Sequence, residues 1–124
     1  MQDIRNTMDY VQSLAPAARI ATTNGTGVDT ANYSAVVVIF EMGAITDGTH
    51  TPSIQESDDN ATFTNVAAAA QLGTLSAMAA NTVQKAGYIG TKRYVRPVLT
   101  IAGATTGAVS SAIVVGGNCR KAPV

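Results

Sequence analysis

The sequence predicts an all-β fold, with antiparallel strands arranged as a sandwich or a barrel. Three observations predict it. Short β-branched or alternating runs recur along the 124 residues, separated by Gly, Asn, Asp and Pro clusters, and few segments carry helical spacing. The 46% hydrophobic fraction is mainly Ala and Val, with no Trp. Small side chains suit the thin layer between two sheets better than a deep globular core. Late in the chain, the runs from Arg93 to Ile101 and from Ala108 to Val115 flank the turn Gly103-Ala104-Thr105-Thr106-Gly107, which reads as a C-terminal hairpin.

Taken in order, residues 1–17 fit two patterns. Ile4, Met8 and Val11 share a helical face, whereas Met8, Tyr10, Gln12 and Leu14 share a strand face, and Pro16 ends either. The preferred reading is an extended arm with a strand in its second half, reaching a neighbouring subunit or serving as an edge strand of its own domain. After a brief alternating run at Ala18–Thr22, Asn24-Gly25-Thr26-Gly27 is strong turn chemistry, because Asn and Gly accept positive φ. Ser34 to Met42 is the longest β-branched run. Apolar residues fall on both parities, so the strand is expected to be covered on both faces, with Glu41 emerging into solvent.

Thr49 to Ser57 alternates around Ile54. Its Pro52 lacks an amide hydrogen and argues for an edge. Asp58-Asp59-Asn60-Ala61 then turns the chain into Thr62–Val66, whose Phe63 is expected in the core, making a further hairpin. Residues 67–81 read as irregular chain with one helical turn in the alanines, because Gly73 interrupts a segment too short for a stable helix. Thr82–Gly87 is a strand leading into Tyr88–Pro97. Residues 117–124 form a basic, Gly- and Pro-punctuated tail expected to be extended. The length fits a single domain over residues 1–124.

Composition narrows the function. Charged residues make up 13%, with eight basic against eight acidic. There is no net field to draw nucleic acid or anionic lipid, and no apolar run approaches the ~20 residues of a membrane helix. The opening MQDIRNTMDY lacks the apolar stretch of a secretory signal. Cys119 has no partner for an internal disulfide. Low charge also leaves little to keep copies apart, which favours life in an assembly.

Residues that carry chemistry are sparse. His50, the only histidine, lies in a polar strand with no recognisable partner and is expected at the surface or an interface. No base accompanies Cys119. Glu56, Asp58, Asp59 and Asn60 offer oxygens to a cation, but the spacing of a calcium loop is absent, and an Asx-type turn explains the same residues. Arg93 and Arg96 are expected on opposite strand faces, one outward and the other paired with an acidic residue such as Glu41 or Glu56 or used at a subunit contact, which weakens a nucleic-acid patch. No phosphate-binding glycine loop is present. The chain is therefore not expected to be an enzyme, and no cofactor or metal is expected.

The stretches GTHTPSIQESDDNATFTNV (48–66) and YIGTKRYVRPVLTIAGATTGAVSSAIVVGGNCRKAPV (88–124), with the opening MQDIRNTMDYVQSLAPA, resemble small proteins encoded beside the major capsid protein of tailed bacteriophages. Some of those are capsid decoration or cement proteins. The QESDDNATFTNV hairpin and late KRYVRPVLT strand are also similar to discoidin-type jelly rolls, which often bind sugars or lipids through loops rich in aromatics that this chain lacks. The resemblance implies a jelly-roll-like sandwich with an extended N-terminal arm and C-terminal tail. It implies a structural protein on the capsid surface of a virion, binding the major capsid protein and copies of itself as a dimer or trimer. The expected contact residues are Ile4, Arg5, Met8 and Tyr10 in the arm and Arg120, Lys121, Pro123 and Val124 in the tail. The alternatives are a tail or head–tail joining protein and a carbohydrate-binding module.

Overall fold

A computed structural model describes residues 1–120. Ten strands follow in order: β1 (Asp9–Arg19), β2 (Thr23–Asn24), β3 (Val28–Asp29), β4 (Ala35–Ile45), β5 (Thr49–Ser57), β6 (Thr64–Asn65), β7 (Gln71–Leu72), β8 (Val83–Tyr88), β9 (Tyr94–Ala102) and β10 (Ala108–Gly117). They form two antiparallel sheets, β1-β10-β4-β8-β7 and β2-β9-β5-β6, with β3 also pairing β9. The fold is an all-β sandwich.

Alternation builds the space between the sheets. Along β4 the even residues Val38, Phe40 and Met42 are buried. Along β10 the even residues Ala112 and Val114 meet them, and from the second sheet come Ile54, Val95, Leu99 and Ile101. Ala86, Ala108 and Ala112 lie among larger Phe40, Met42 and Leu99, the interleaving of small and large groups that fills a two-layer core.

The late hairpin does not form. β9 lies in the second sheet and β10 in the first, so the turn at 103–107 carries the chain across the gap between sheets. Tyr88–Arg93 makes the opposite crossing, from β8 to β9. Two consecutive apolar strands joined by a glycine turn can pair side by side or face one another, and their alternation is the same in both cases. The hairpin at β5 and β6 does form, through Gln55 opposite Asn65 and Glu56 opposite Thr64.

Three further expectations are corrected. Pro16 does not end a strand: β1 continues to Arg19, with register shifts between Gln12 and Leu14 and between Leu14 and Ala17. Bulges absorb the proline because β1 is an edge. β4 is covered on one face only, since Val37 and Ile39 are half-exposed and Glu41 exposed. Phe63 stays outside the core, half-buried under the Arg96 guanidinium, whose carbon is 4.0 Å from the ring centroid.

The segment over 67–81 is irregular apart from one 3₁₀ turn at Ala68–Ala70 and the short β7. It is nevertheless anchored. Gln84 on β8 bonds both backbone groups of Ser76, at 3.0 and 3.1 Å, and the Met78 N–H donates to the His50 carbonyl on β5 at 2.8 Å. Met78 is buried, so this segment closes one side of the sandwich between its two sheets. Pro52 sits on the part of β5 that β6 does not reach, consistent with its missing donor.

Candidate functional site

Asp9 on β1 pairs with Gly116 on β10, so the first eight residues and residues 117–120 lie at the same end of the sheet. Residues 3–8 do not extend as an arm. The Asp3 carboxylate accepts the Arg5 and Asn6 N–H groups at 2.9 and 3.3 Å, and the Asn6 amide at 2.8 Å. The Met8 N–H donates to the Ile4 carbonyl at 3.2 Å. The Asn6 amide, followed by the backbone donors, holds the Asp3 carboxyl below its ordinary range.

This turn lays Met8 against Gly117, in a shallow apolar depression with Ala35, Val37 and Val115. Tyr10 follows on the outer face, 49% exposed, and Ile4 and Arg5 are exposed. Beneath them, Tyr33 stacks on Gly116, where any Cβ would strike its ring. Its hydroxyl donates to Asp9 Oδ2 at 2.5 Å. Burial first, then the neighbouring Asp9 carboxylate, push the Tyr33 phenol well up from its ordinary value.

Across the same end, Arg120 is exposed and its N–H bonds the Asn32 carbonyl at 2.8 Å. Cys119 is half-buried against the core rather than free in a tail. Lys121, Pro123 and Val124 lie outside the described residues. A cleft of about 590 Å³ opens here, lined among others by Tyr33, Tyr88, Lys92, Arg93 and Arg120. Lys92 reaches Asp58 at 2.7 Å. Arg93 grips Asp29 with two bonds, at 3.0 and 2.7 Å, so its partner is neither Glu41 nor Glu56. The Arg120 guanidinium has no ion pair among the described residues.

The other candidate groups are used in holding the fold. Glu56 accepts the Tyr88 hydroxyl at 2.5 Å, and that oxygen in turn accepts the Lys92 N–H at 3.0 Å. Burial, then Glu56, push the Tyr88 phenol up to about 12. Asp59 accepts the Ala61 and Thr62 N–H groups, at 3.0 and 2.9 Å, and the Ser57 hydroxyl at 2.9 Å. Those donors, Thr62 first, hold its carboxyl at about 2. Asn60 takes a φ of 59°, so the loop is built as an Asx turn. Arg96 donates twice to the Gln55 side chain, at 2.9 and 2.6 Å.

His50 is not at the surface. It is 1% exposed, because the even residues of β5 face the core. Its Nε2 lies 3.0 Å from the Asp47 carbonyl and donates to it, while Nδ1 is buried without a partner among the described residues. Asp47 itself was missed by the sequence reading. Its carboxylate accepts the Thr105, Thr106 and Gly107 N–H groups, at 3.0, 3.1 and 2.6 Å. These donors, Gly107 first, hold it below its ordinary value. Gly107 takes a φ of 77°, and a Cβ there would strike the Arg19 carbonyl. One carboxylate thus fixes the β9–β10 crossing beside the β4–β5 turn. The only signal was an Asp at a turn, Thr46-Asp47-Gly48, which local sequence assigns to that turn alone.

Among the described residues, no group of three or more His, Cys, Asp or Glu side chains is gathered as a metal site would need. What the geometry gathers at one end of the sandwich is the turn at residues 3–8, Tyr10, Arg120 and the basic cleft. Comparison with protein-family models and with curated proteins finds no match.

Proposed function

We propose that the chain is a structural virion protein that binds the outer surface of a phage capsid and stabilises the shell. One observation carries this reading. The two segments expected to make the contact run from about Gln2 to Leu14 and from Gly117 to Val124, and their described parts emerge side by side at residues 2–9 and 117–120, because β1 and β10 are paired neighbours. Beside them lies a cleft with three cationic side chains, Lys92, Arg93 and Arg120, of which Arg120 has no ion pair among the described residues. An acidic loop of the major capsid protein fits that chemistry. Each copy buries modest area, and the symmetry of the shell multiplies the contact.

The test uses particles that carry the protein and particles stripped of it. Removing residues 121–124 together with Arg120→Glu is expected to lower occupancy on the capsid at least tenfold and to reduce the shell's thermal stability, with the circular dichroism of the free chain unchanged. Full occupancy by that variant overturns the proposed contact. Imaging that finds the wild-type protein in the tail, and not on the shell, overturns the reading itself.

A further inference from the structure

We propose that the outer face of the first sheet is a two-fold contact between two copies of this chain. The inference rests on the structural reading above and names one of its partners.

The strand alternation that points Val38, Phe40 and Met42 into the core turns Val37, Ile39 and Glu41 outward on β4. Register then places their outward neighbours. Val37 lies between Val115 on β10 and Gly87 on β8, Ile39 between Ile113 and Lys85, and Glu41 between Ser111 and Val83. Leu72 on β7 packs over Gly87, whose missing side chain makes room for it. The result is an apolar surface, broken by Glu41, Lys85 and Ser111, in which Val83 is 60% and Leu72 58% exposed while Val115 is buried. Strands ~4.8 Å apart and ~3.3 Å per residue give the patch bounded by these residues an area on the order of 300 Å², and the whole outer face of the sheet about twice that. Only the whole face approaches the ~800 Å² that each partner contributes to a standard specific interface, so the contact spreads beyond the patch.

Charge selects the occupant. Glu41 and Lys85 are the ionic groups in the middle of the face, diagonal to one another across β4 and β8. Neither has an ion pair among the described residues. An acid and a base placed symmetrically about an apolar line are self-complementary. A two-fold axis in the contact plane, running along the Ile39–Val83 diagonal, sets Glu41 of each copy opposite Lys85 of the other. Ile39, Val83 and Ile113 then meet their own counterparts or near neighbours. A closed two-fold contact of this kind uses the face once and leaves Arg120 free for the shell, with Met8 and Tyr10, which border the face at Val115, at the seam between the two contacts.

Sedimentation of the purified full chain tests this, using wild type, Glu41→Lys, Lys85→Glu and the double reversal. The expected result is a dimer for wild type. Each single reversal weakens it roughly tenfold or more, because two attractions become two repulsions, and the double reversal restores it. Val83→Glu, at an exposed position, is a further variant expected to give monomer with unchanged circular dichroism. A wild-type monomer at all concentrations, a trimer, or a dimer indifferent to all four changes overturns the inference. A monomer whose sheet face is protected only on the particle also overturns it, since the shell would then be the occupant. The two proposals fail separately: a charge-dependent dimer that does not bind capsids keeps the two-fold contact and removes the shell role, and a monomer that does bind them does the reverse.

Discussion

Asp47 and Asp59 do comparable work at two turns, each replacing backbone partners that a loop cannot supply. Both are held below their ordinary values by the N–H groups they accept, Asp59 at about 2. A carboxyl whose folded value lies below its unfolded value of ~3.9 contributes stability that is present above that value. The contribution is lost as pH falls through the folded one. The thermal midpoint is therefore expected to hold steady down to about pH 4 and to fall between about pH 4 and 2. Asp59→Asn, which accepts but does not titrate, should carry its deficit at neutral pH and lose it near pH 2. Melting curves over that range check this, and a deficit independent of pH would remove the carboxylate from the account. The Asx turn at 57–62 was legible in the sequence because its donors lie within a few residues. The role of Asp47 was not, because its donors lie 58 to 60 residues away.

Among the elements, β5, β6, β8 and the two halves of the late run were readable from alternation and turn residues, and so was the irregular stretch over 67–81. Apart from the β5–β6 hairpin, their pairing was not. β9 and β10 carry the strand pattern of a hairpin, yet they face each other across the core, held there by Asp47 and Gly107. β1 was misjudged at Pro16 for a similar reason, since what carries it past the proline is the bond of a nearby arginine, Arg19, to the distant Ser110. The Arg19 guanidinium donates to the Ser110 carbonyl, to the Ala15 carbonyl at 2.6 Å and to the Ser110 hydroxyl at 3.2 Å. It stitches the bulged end of β1 to β10 and supplies donors where the proline has none. Burial lowers the Arg19 guanidinium from its ordinary value, but these acceptors, with the Ala17 carbonyl at 3.3 Å as a fourth, keep it satisfied. Arg19→Met keeps the stem and removes the donors, and should cost about 1–2 kcal/mol. Amide exchange is expected to quicken over 14–19 and at Ala108–Ser110 while the β4 and β8 amides stay protected. Uniform loss of protection would show that Arg19 acts on the whole sandwich instead of on one edge.

At the scale of the molecule, the first strand closes against the last, Asp9 opposite Gly116 and Arg19 opposite Ala108. Most pairings join distant parts of the chain, so the sandwich is complete only when both ends are in place, and slow folding follows from the loops that must close first. This also explains why the proposed contact elements were only partly legible. Small apolar residues and low charge favoured life in an assembly, but the convergence of residues 2–9 with residues 117–120 depends on a pairing that no local pattern records. The same pairing sets where a harmless truncation can begin. Gly117 accepts the Ser34 N–H at 3.1 Å and Cys119 packs on the core, so a cut at 117 removes structure, whereas a cut at 121 leaves all of these contacts intact. At the other end, deleting residues 2–7 removes only the exposed turn and is expected to leave the melting temperature nearly unchanged. Deletion through Arg19 strips β1 from β10. It uncovers a long edge of Ala112, Ile113, Val114 and Val115 and exposes the core beneath Leu14. An unpaired apolar edge of that length recruits other chains, so this variant is expected to aggregate or to form strand-exchanged oligomers. Light scattering with far-ultraviolet circular dichroism separates the cases: a soluble, folded monomer lacking residues 2–19 would mean that β1 is dispensable and that the sandwich closes on β10 alone.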